Sequence, residues 1–457
     1  MFNLIDPDKS STPLVVVPAT DYPQWLATAP TTARDWLTAI KFDPRPNATA
    51  FLPSGGAEPP SMLGVTDGRV SSFWALAGLA GALPAGRYAL AEPLAEAEAT
   101  RASLGWALAA YRFDRYRSRP PGEVELVWPP AAQRAEVERL ATAVFLARDL
   151  INTPAEDLGP AELAAVAQAL ADEMGAQSQV IVGDDLLAQG FPAIHAVGRA
   201  SPRAPRLIDL RWGPEAAPKV TLIGKGVCFD TGGLNLKSGE GLRGMKRDMG
   251  GAAVVLGLGR AVMAANLPLR LRILIPAVDN ALSGGSIRPQ DVIRTRSGKT
   301  VEIGDTDAEG RLILCDTITE ALSEAPDLLI DCATLTGAAR VALGTEVQAL
   351  FCDDEGLAAE LFAAGQAVED PLWRLPIWRP YRKLLESKVA DLNNMAETSF
   401  GGAITAAVFL ADFIPRAAPW IHLDINASNA GARPGRPEGG EATGLRALYA
   451  LLVARYG

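Results

Sequence analysis

Short apolar runs broken by Pro and Gly open the chain, and Leu14-Val15-Val16-Val17, Met62-Leu63-Gly64-Val65 and Val124-Glu125-Leu126-Val127-Trp128 read as strands. Helical patterning falls near residues 74–83 and 103–112, and Ser54-Gly55-Gly56-Ala57-Glu58-Pro59-Pro60 reads as a loop. From Pro130 to about Ile151 the apolar period is helical, stopping at Asn152-Thr153-Pro154. A second helix is expected over residues 160–174, with Pro160 in the first turn, where its missing N–H costs nothing. Beyond it, strands are expected at 180–182, 207–211, 220–223, 271–278, 328–333 and 420–425. Helices alternate with them at 250–264, 311–324, 403–413 and 444–454. Ser297-Gly298-Lys299, between strand-like residues 292–295 and 300–303, signals a hairpin.

Such alternation predicts an α/β fold in two parts. A small N-terminal α/β domain takes residues 1–155, with a helical linker over about 130–175. A larger C-terminal catalytic domain, 176–457, carries a mostly parallel central sheet covered by helices on both faces. Chemistry-bearing residues are expected at the carboxyl ends of its strands.

Length agrees, since 457 residues exceed one ordinary core. A net charge of −10 argues against a nucleic-acid surface, which needs clustered Lys and Arg. No apolar run reaches the roughly 18 residues of a membrane span, and Met1 to Asp8 lacks a secretion signal's basic start and apolar core. Cys228, Cys315, Cys332 and Cys352 are scattered without a C-x-x-C pair and read as buried reduced thiols. These features point to the cytoplasm. Only two histidines occur, His195 and His422, both read as structural, so a three-histidine zinc site is impossible. Any hydrolytic chemistry must find its ligands and its base elsewhere.

Three segments offer them. In the first, an apolar strand ends in Gly224-Lys225-Gly226, and Asp230-Thr231-Gly232-Gly233 and Lys237 follow; its spacing fits neither nucleotide-loop pattern. In the second, Met245-Lys246-Arg247-Asp248-Met249 opens a Gly/Ala-rich helix, where a lone Asp248 would equally serve as an N-cap. The third, Gly304-Asp305-Thr306-Asp307-Ala308-Glu309-Gly310-Arg311-Leu312, follows a strand and precedes a helix. If the segment is extended, Asp307 and Glu309 share a face. Carboxylates so close repel unless a cation sits among them; a solvated acidic turn is the other reading of this cluster. Taken together, the segments suit Mn2+, Mg2+ or Zn2+ held by oxygen, and a pair of such ions can clamp a hydrolysis.

With these runs, and with Asp331-Cys332-Ala333-Thr334-Leu335-Thr336-Gly337-Ala338, Gly401-Gly402-Ala403-Ile404-Thr405-Ala406-Ala407 and His422-Leu423-Asp424-Ile425, the chain resembles the leucyl aminopeptidase (cytosol aminopeptidase) family from about residue 145 onward. The resemblance implies an exopeptidase that hydrolyses the N-terminal peptide bond of peptides, with two divalent ions per chain. Asp230, Asp307 and Glu309 would hold one ion, and Lys225, Asp230, Asp248 and Glu309 the other, with Lys225 a neutral amine whose pKa burial and the metal pull down. It further implies Lys237 as oxyanion stabiliser, Arg311 holding a bicarbonate as general base, Met245 and Thr334 lining the pocket for the first side chain, and Leu335 and Gly337 offering backbone groups. A homohexamer is implied as well. Two departures stand out: Asp305 replaces the family's usual Asn, and Asn426-Ala427-Ser428-Asn429-Ala430 differs from the usual run. A non-enzymatic scaffold or regulator on the same fold and a two-metal phosphoesterase remain as other readings.

Overall fold

The computed structural model describes residues 2–7, 10–54, 59–68, 72–118 and 122–457. The chain divides into two compact units, residues 1–145 with 430–438, and residues 146–429 with 439–457. The division falls within the helix Arg134–Asn152.

In the first unit a six-stranded sheet comprises β1 (Leu4–Ile5), β2 (Thr12–Pro18), β3 (Thr49–Leu52), β4 (Ser61–Thr66), β5 (Gly86–Leu90) and β6 (Val124–Val127), in the order β1-β6-β5-β2-β4-β3. Only the β3–β4 pairing is antiparallel. Leu14 packs in one apolar cluster with Leu76, Leu79 and Trp106, and Val17 in another with Tyr22 and Leu37. Neighbouring strand positions thus point into opposite covered faces, which is why β2 reads as an unbroken apolar run. The helices here are Tyr22–Thr28, Thr31–Ala39, Ala75–Ala80 and Glu96–Ala109. The last starts seven residues before the expected 103, because its Glu- and Ala-rich first turns show no apolar stripe. Of the loop expected over 54–60, residues 55–58 lie outside the described residues.

The second unit is built on a nine-stranded sheet. Its strands, with those of a small side sheet, are β7 (Gln177–Val182), β8 (Arg206–Trp212), β9 (Lys219–Gly224), β10 (Gly226–Asp230), β11 (Arg270–Asn280), β12 (Val292–Arg294), β13 (Thr300–Glu302), β14 (Leu328–Ala333), β15 (Gln348–Phe351), β16 (Leu372–Arg374), β17 (Leu392–Asn393) and β18 (Trp420–Asp424). The main order is β16-β15-β18-β14-β9-β11-β8-β7, with β10 beside β11; β12-β13-β17 form the side sheet. The central pairings are parallel, and antiparallel ones enter where β8, β7 and β15 join. The helix Gly250–Ala264 covers one face with Pro160–Met174 and Leu445–Tyr456, and Glu309–Leu322 the other with Pro192–Gly198 and Gly402–Ala411.

The hairpin forms as β12 and β13. Among the elements the apolar pattern merged or passed over are β10, β15 and the helices Pro192–Gly198 and Glu355–Ala367. Lys225 alone separates β9 from β10, so two strands read as one strand and a glycine loop. Among the described residues no helix is long and apolar enough to cross a membrane.

Candidate metal centre

Four strand ends converge here. Lys225 follows β9, Asp230 ends β10, Thr334 follows β14 and Asp424 ends β18. Side chains alternate along β9. Ile223 belongs to the core on the side of Glu309–Leu322, whereas a Cβ on Gly224 would lie 2.6 Å from Ala252 Cα in the opposite helix. Lys225, two positions after Ile223, therefore points toward Glu309. Its N–H donates to the Cys332 carbonyl at 3.0 Å, and its carbonyl accepts the Ala252 N–H at 2.9 Å, so its backbone is anchored on both sides. A side chain on Gly310 would come within 2.7 Å of Lys225 Cε; glycine is what lets the lysine lie across the helix start.

Asp230, Asp307 and Glu309 each bring one oxygen within 4.8 Å of the others. Lys225 Nζ lies 2.8 Å from Asp248 Oδ2 and 2.9 Å from Glu309 Oε1, and donates to the Thr334 carbonyl at 2.9 Å. Lys237 Nζ lies 2.9 Å from Asp230 Oδ2 and contacts Asp307 Oδ1. Asp230 Oδ1 accepts from the Gly232 N–H at 2.9 Å and the Asn280 amide at 2.8 Å. Yet Asp248 Oδ2, Asp307 Oδ1 and both Glu309 oxygens are buried without an aligned hydrogen-bond donor. The lysines are close to three of these oxygens but do not satisfy their hydrogen-bonding directions. Four carboxylates face two ammoniums, with oxygen lone pairs to spare: the donor set fits hard dications.

Local geometry differs from the sequence expectation at two points. Asp307 sits in a turn and Glu309 is the first residue of the helix Glu309–Leu322, so a turn and a helix start, not an extended run, bring them together. Asp248 does not cap the Gly/Ala-rich helix. It lies in the 3-10 turn Met245–Met249, Met249 takes the cap position, and the Asp248 carboxylate accepts from Thr334 Oγ1 at 2.7 Å.

Burial raises Glu309 to about 8, with Asp230 adding to the shift and Lys225 opposing it. Asp248 and Asp307 are each raised to about 6, again by burial first. Burial disfavours charge on Lys225, but Asp248, Glu309 and Asp230 outweigh it and hold the amine well above its ordinary value. Burial itself acts in the expected downward direction, and the carboxylates around Lys225 act against it. A lysine that ligates a metal must lose that proton to the incoming ion.

Lys225, Asp230, Lys237, Met245, Asp248, Asp307, Thr334, Leu335 and Gly337 all line one cavity of about 450 Å³. The Leu335 N–H is already donated to Asp424 Oδ1 at 3.0 Å. Arg311 is not among the lining residues; it donates to the Asn394 carbonyl at 2.7 Å, and its buried Nε has no partner. Burial lowers its guanidinium to about 10, with Glu309 and Asp424 opposing. Asp305 accepts from the Asp307 N–H and the Asn235 amide, each at 2.8 Å. His422 is buried against Asp331 at 2.6 Å, and His195 meets Asp184 at 3.0 Å, neither at the centre.

Three positioning residues went unassigned in the sequence. Asn280 holds Asp230, and buried Asn394 accepts from the Gly304 and Asp305 N–H groups and donates to the Asp305 carbonyl. Asp424 accepts from both the N–H and the hydroxyl of Thr336. Asn280 and Asp424 each end an apolar strand, a usable signal; Asn394 offers none.

The sequence matches the cytosol aminopeptidase family, catalytic domain, over residues 145–449, and the M17 aminopeptidase N-terminal domain over residues 12–129. It is 41% identical over 348 residues to Peptidase B of Serratia proteamaculans, covering 74% of this chain and 81% of that protein. To a probable cytosol aminopeptidase of Xanthomonas campestris it is 47% identical over 316 residues, 67% of this chain and 64% of the other. The crystal structure of a cytosol aminopeptidase from Coxiella burnetii aligns over 100% of both chains with a TM-score of 0.94 and 44% identity. A bottromycin maturation enzyme, BotP, in complex with Mn aligns with a TM-score of 0.85 and 35% identity, over 97% of this chain and 100% of its own.

Proposed function

Because the chain belongs to the cytosol aminopeptidase family, we propose that it is a metal-dependent aminopeptidase that removes N-terminal residues from peptides at the cluster around Glu309. The observation that carries this reading is the meeting of Asp230, Asp307 and Glu309 within 4.8 Å, with carboxylate oxygens left undonated in a buried site. Asp230, Asp307 and Glu309 would hold one divalent ion, and Lys225, Asp230, Asp248 and Glu309 a second, Asp230 and Glu309 bridging. Mn2+, Zn2+ and Mg2+ all suit the donors. Such a pair, when bound, acidifies a water and polarises the scissile carbonyl.

The chain's own residues supply the rest. Lys237 stays charged because Asp230 and Asp307 flank it, outweighing burial, and its ammonium stabilises negative charge that develops on the carbonyl oxygen. Arg311, with Nε undonated, would hold a bicarbonate as the general base, its planar fork matching a planar oxyanion. Met245 and Thr334 would line the pocket for the first side chain, with the Leu335 carbonyl and Gly337 backbone along the peptide.

Leucine p-nitroanilide is expected to be hydrolysed by protein loaded with Mn2+. Exhaustive chelation should abolish turnover and reloading should restore it, while a phosphate ester assayed alongside stays intact. Turnover that survives chelation would exclude the metal centre. We also propose cytoplasmic peptides as substrates and a homohexamer as the assembly. Light scattering should then return six times the 48.1 kDa chain mass, and a monomer mass would exclude it.

A further inference from the structure

Strand β18 carries two titratable side chains that the metal reading leaves unused. His422 and Asp424 stand two positions apart, so they share one face of the sheet. His422 and Asp331, its register partner on β14, are both wholly buried, with Nδ1 and Oδ1 2.6 Å apart. Asp331 Oδ2 also accepts from Trp420 Nε1 at 2.6 Å. The rings of Phe351 and Trp420 stack against the imidazole, with centroids 5.5 and 6.1 Å away. A carboxylate and aromatic faces favour the charged form of the ring. Burial works against that charge, but Asp331, with Asp424 adding, holds the His422 pKa above its ordinary 6.5.

Asp424 is where this charge meets the cavity, whose wall it lines. It is 4% exposed and accepts three bonds from one short segment: the Leu335 N–H at 3.0 Å, the Thr336 N–H at 3.1 Å and the Thr336 hydroxyl at 2.6 Å. That hydroxyl accepts in turn from the Ala339 N–H at 3.0 Å. Burial raises the Asp424 pKa, and His422 leads the groups that oppose the rise. Arg311, from the helix Glu309–Leu322, is a further cation coupled to Asp424. A carboxyl group that takes up a proton gives up acceptor capacity, and the segment would lose its anchor. His422 Nε2 is buried without a hydrogen-bond partner, so the ring acts on Asp424 through charge and not through a bond. We propose that Asp331 and His422 are positioning residues: the buried imidazolium is the counter-ion of Asp424, and Asp424 holds residues 335–337 in place to receive the peptide. This rests on the aminopeptidase reading, which puts Leu335 and Gly337 along the substrate.

The test sets Mn2+-loaded wild type beside His422→Gln, Asp424→Asn, the double variant and the control His195→Gln, whose ring meets Asp184. KM for leucine p-nitroanilide should rise about tenfold in His422→Gln and in Asp424→Asn, as for one lost hydrogen bond. In both, kcat should stay within about threefold and metal content should hold, since ground-state binding is what suffers. The double variant should be no worse than Asp424→Asn alone, because residues that act through one another do not add. His195→Gln should keep both constants. An unchanged KM in His422→Gln, a fall confined to kcat, or a double variant whose loss is the product of the two singles overturns the proposal. Should His422→Gln fail to fold, the native ring decides. The chain has two histidines, so the ring-carbon NMR signal left by His195→Gln, in Zn2+-loaded protein, belongs to His422. At pH 7 it should be an imidazolium, where an ordinary histidine is mostly neutral; a neutral ring overturns the proposal. If wild type cleaves no p-nitroanilide, the aminopeptidase reading falls. The rise in melting temperature on adding leucine, which should shrink in His422→Gln and Asp424→Asn but not in His195→Gln, then decides the positioning by itself.

Discussion

Glu309→Gln is expected to lower kcat/KM for leucine p-nitroanilide by at least about 10³-fold, the several kcal/mol that an ion's charge stabilisation supplies. The same variant should melt higher than wild type at pH 8 once metal is removed. Glutamine keeps the shape but cannot carry the negative charge that the proposed metal ligand would supply. Glu309 is 1% exposed, and its carboxyl is raised from 4.5 to about 8 by burial. Between those values the folded protein keeps a proton that the unfolded chain has released. The resulting stability is fully present below about pH 4.5 and is lost as pH rises through about 8. Asp248 and Asp307, raised from 3.8 to about 6, act in the same sense over a lower window.

Chelated wild type should therefore melt lower at pH 8 than at pH 5, and Glu309→Gln should show a shallower slope. Excess Mn2+ should reverse the wild-type trend, since an ion that binds only the folded carboxylates competes with protons for them. Scanning calorimetry at the two pH values, with and without chelator, checks this. A chelated wild type that gains stability toward pH 8, or a glutamine variant that keeps turning over, would remove Glu309 from the centre.

Gly251→Ala is expected to destabilise the protein by at least about 3 kcal/mol, the upper end for overpacking a core. In an ordinary helix the same change stabilises by about 1 kcal/mol. Here the new Cβ would sit 2.0 Å from the Cys332 carbonyl oxygen and 2.8 Å from Lys225 N, both backbone atoms of the central sheet. Neither can swing aside, so the helix Gly250–Ala264 must lift from β9 and β14. That shift disturbs Lys225 and Asp248 together, and metal affinity should fall with stability. Gly259→Ala, eight residues on, meets the Ile273 side chain at 2.3 Å and should cost less, because a side chain can change rotamer. Urea denaturation of the two variants compares them directly; equal stability of Gly251→Ala and wild type would show that the helix is not seated so tightly.

Much of the second unit was legible because burial leaves a period in the chain. The helix 250–264 and the strand 328–333 stand where expected, since the strand is buried throughout and the helix nearly so, and the apolar residues record that. Weak signals failed for the converse reason. β10 is hidden in a glycine-flanked run, and β15, Gln348-Ala349-Leu350-Phe351, is too short for a period to show. The excursion of residues 430–438 into the first unit leaves no mark, because their Pro- and Gly-rich composition matches any loop.

Residue chemistry and near-neighbour spacing carried the reading as far as an oxygen-rich cation site, since two histidines exclude a three-histidine zinc site and the acids beside strand ends suit a dication; the peptidase activity came from the family resemblance of the quoted runs. What lay beyond reach was convergence. Lys225 and Thr334 are 109 positions apart, yet bonded, because β14 lies beside β9. The turn of Asp248 away from its cap toward Thr334, just past β14, and the upward shift of the buried carboxyl groups depend on that packing. A linear pattern registers interactions within a few residues. Strand order and desolvation are properties of the packed whole, and they decide which charges meet.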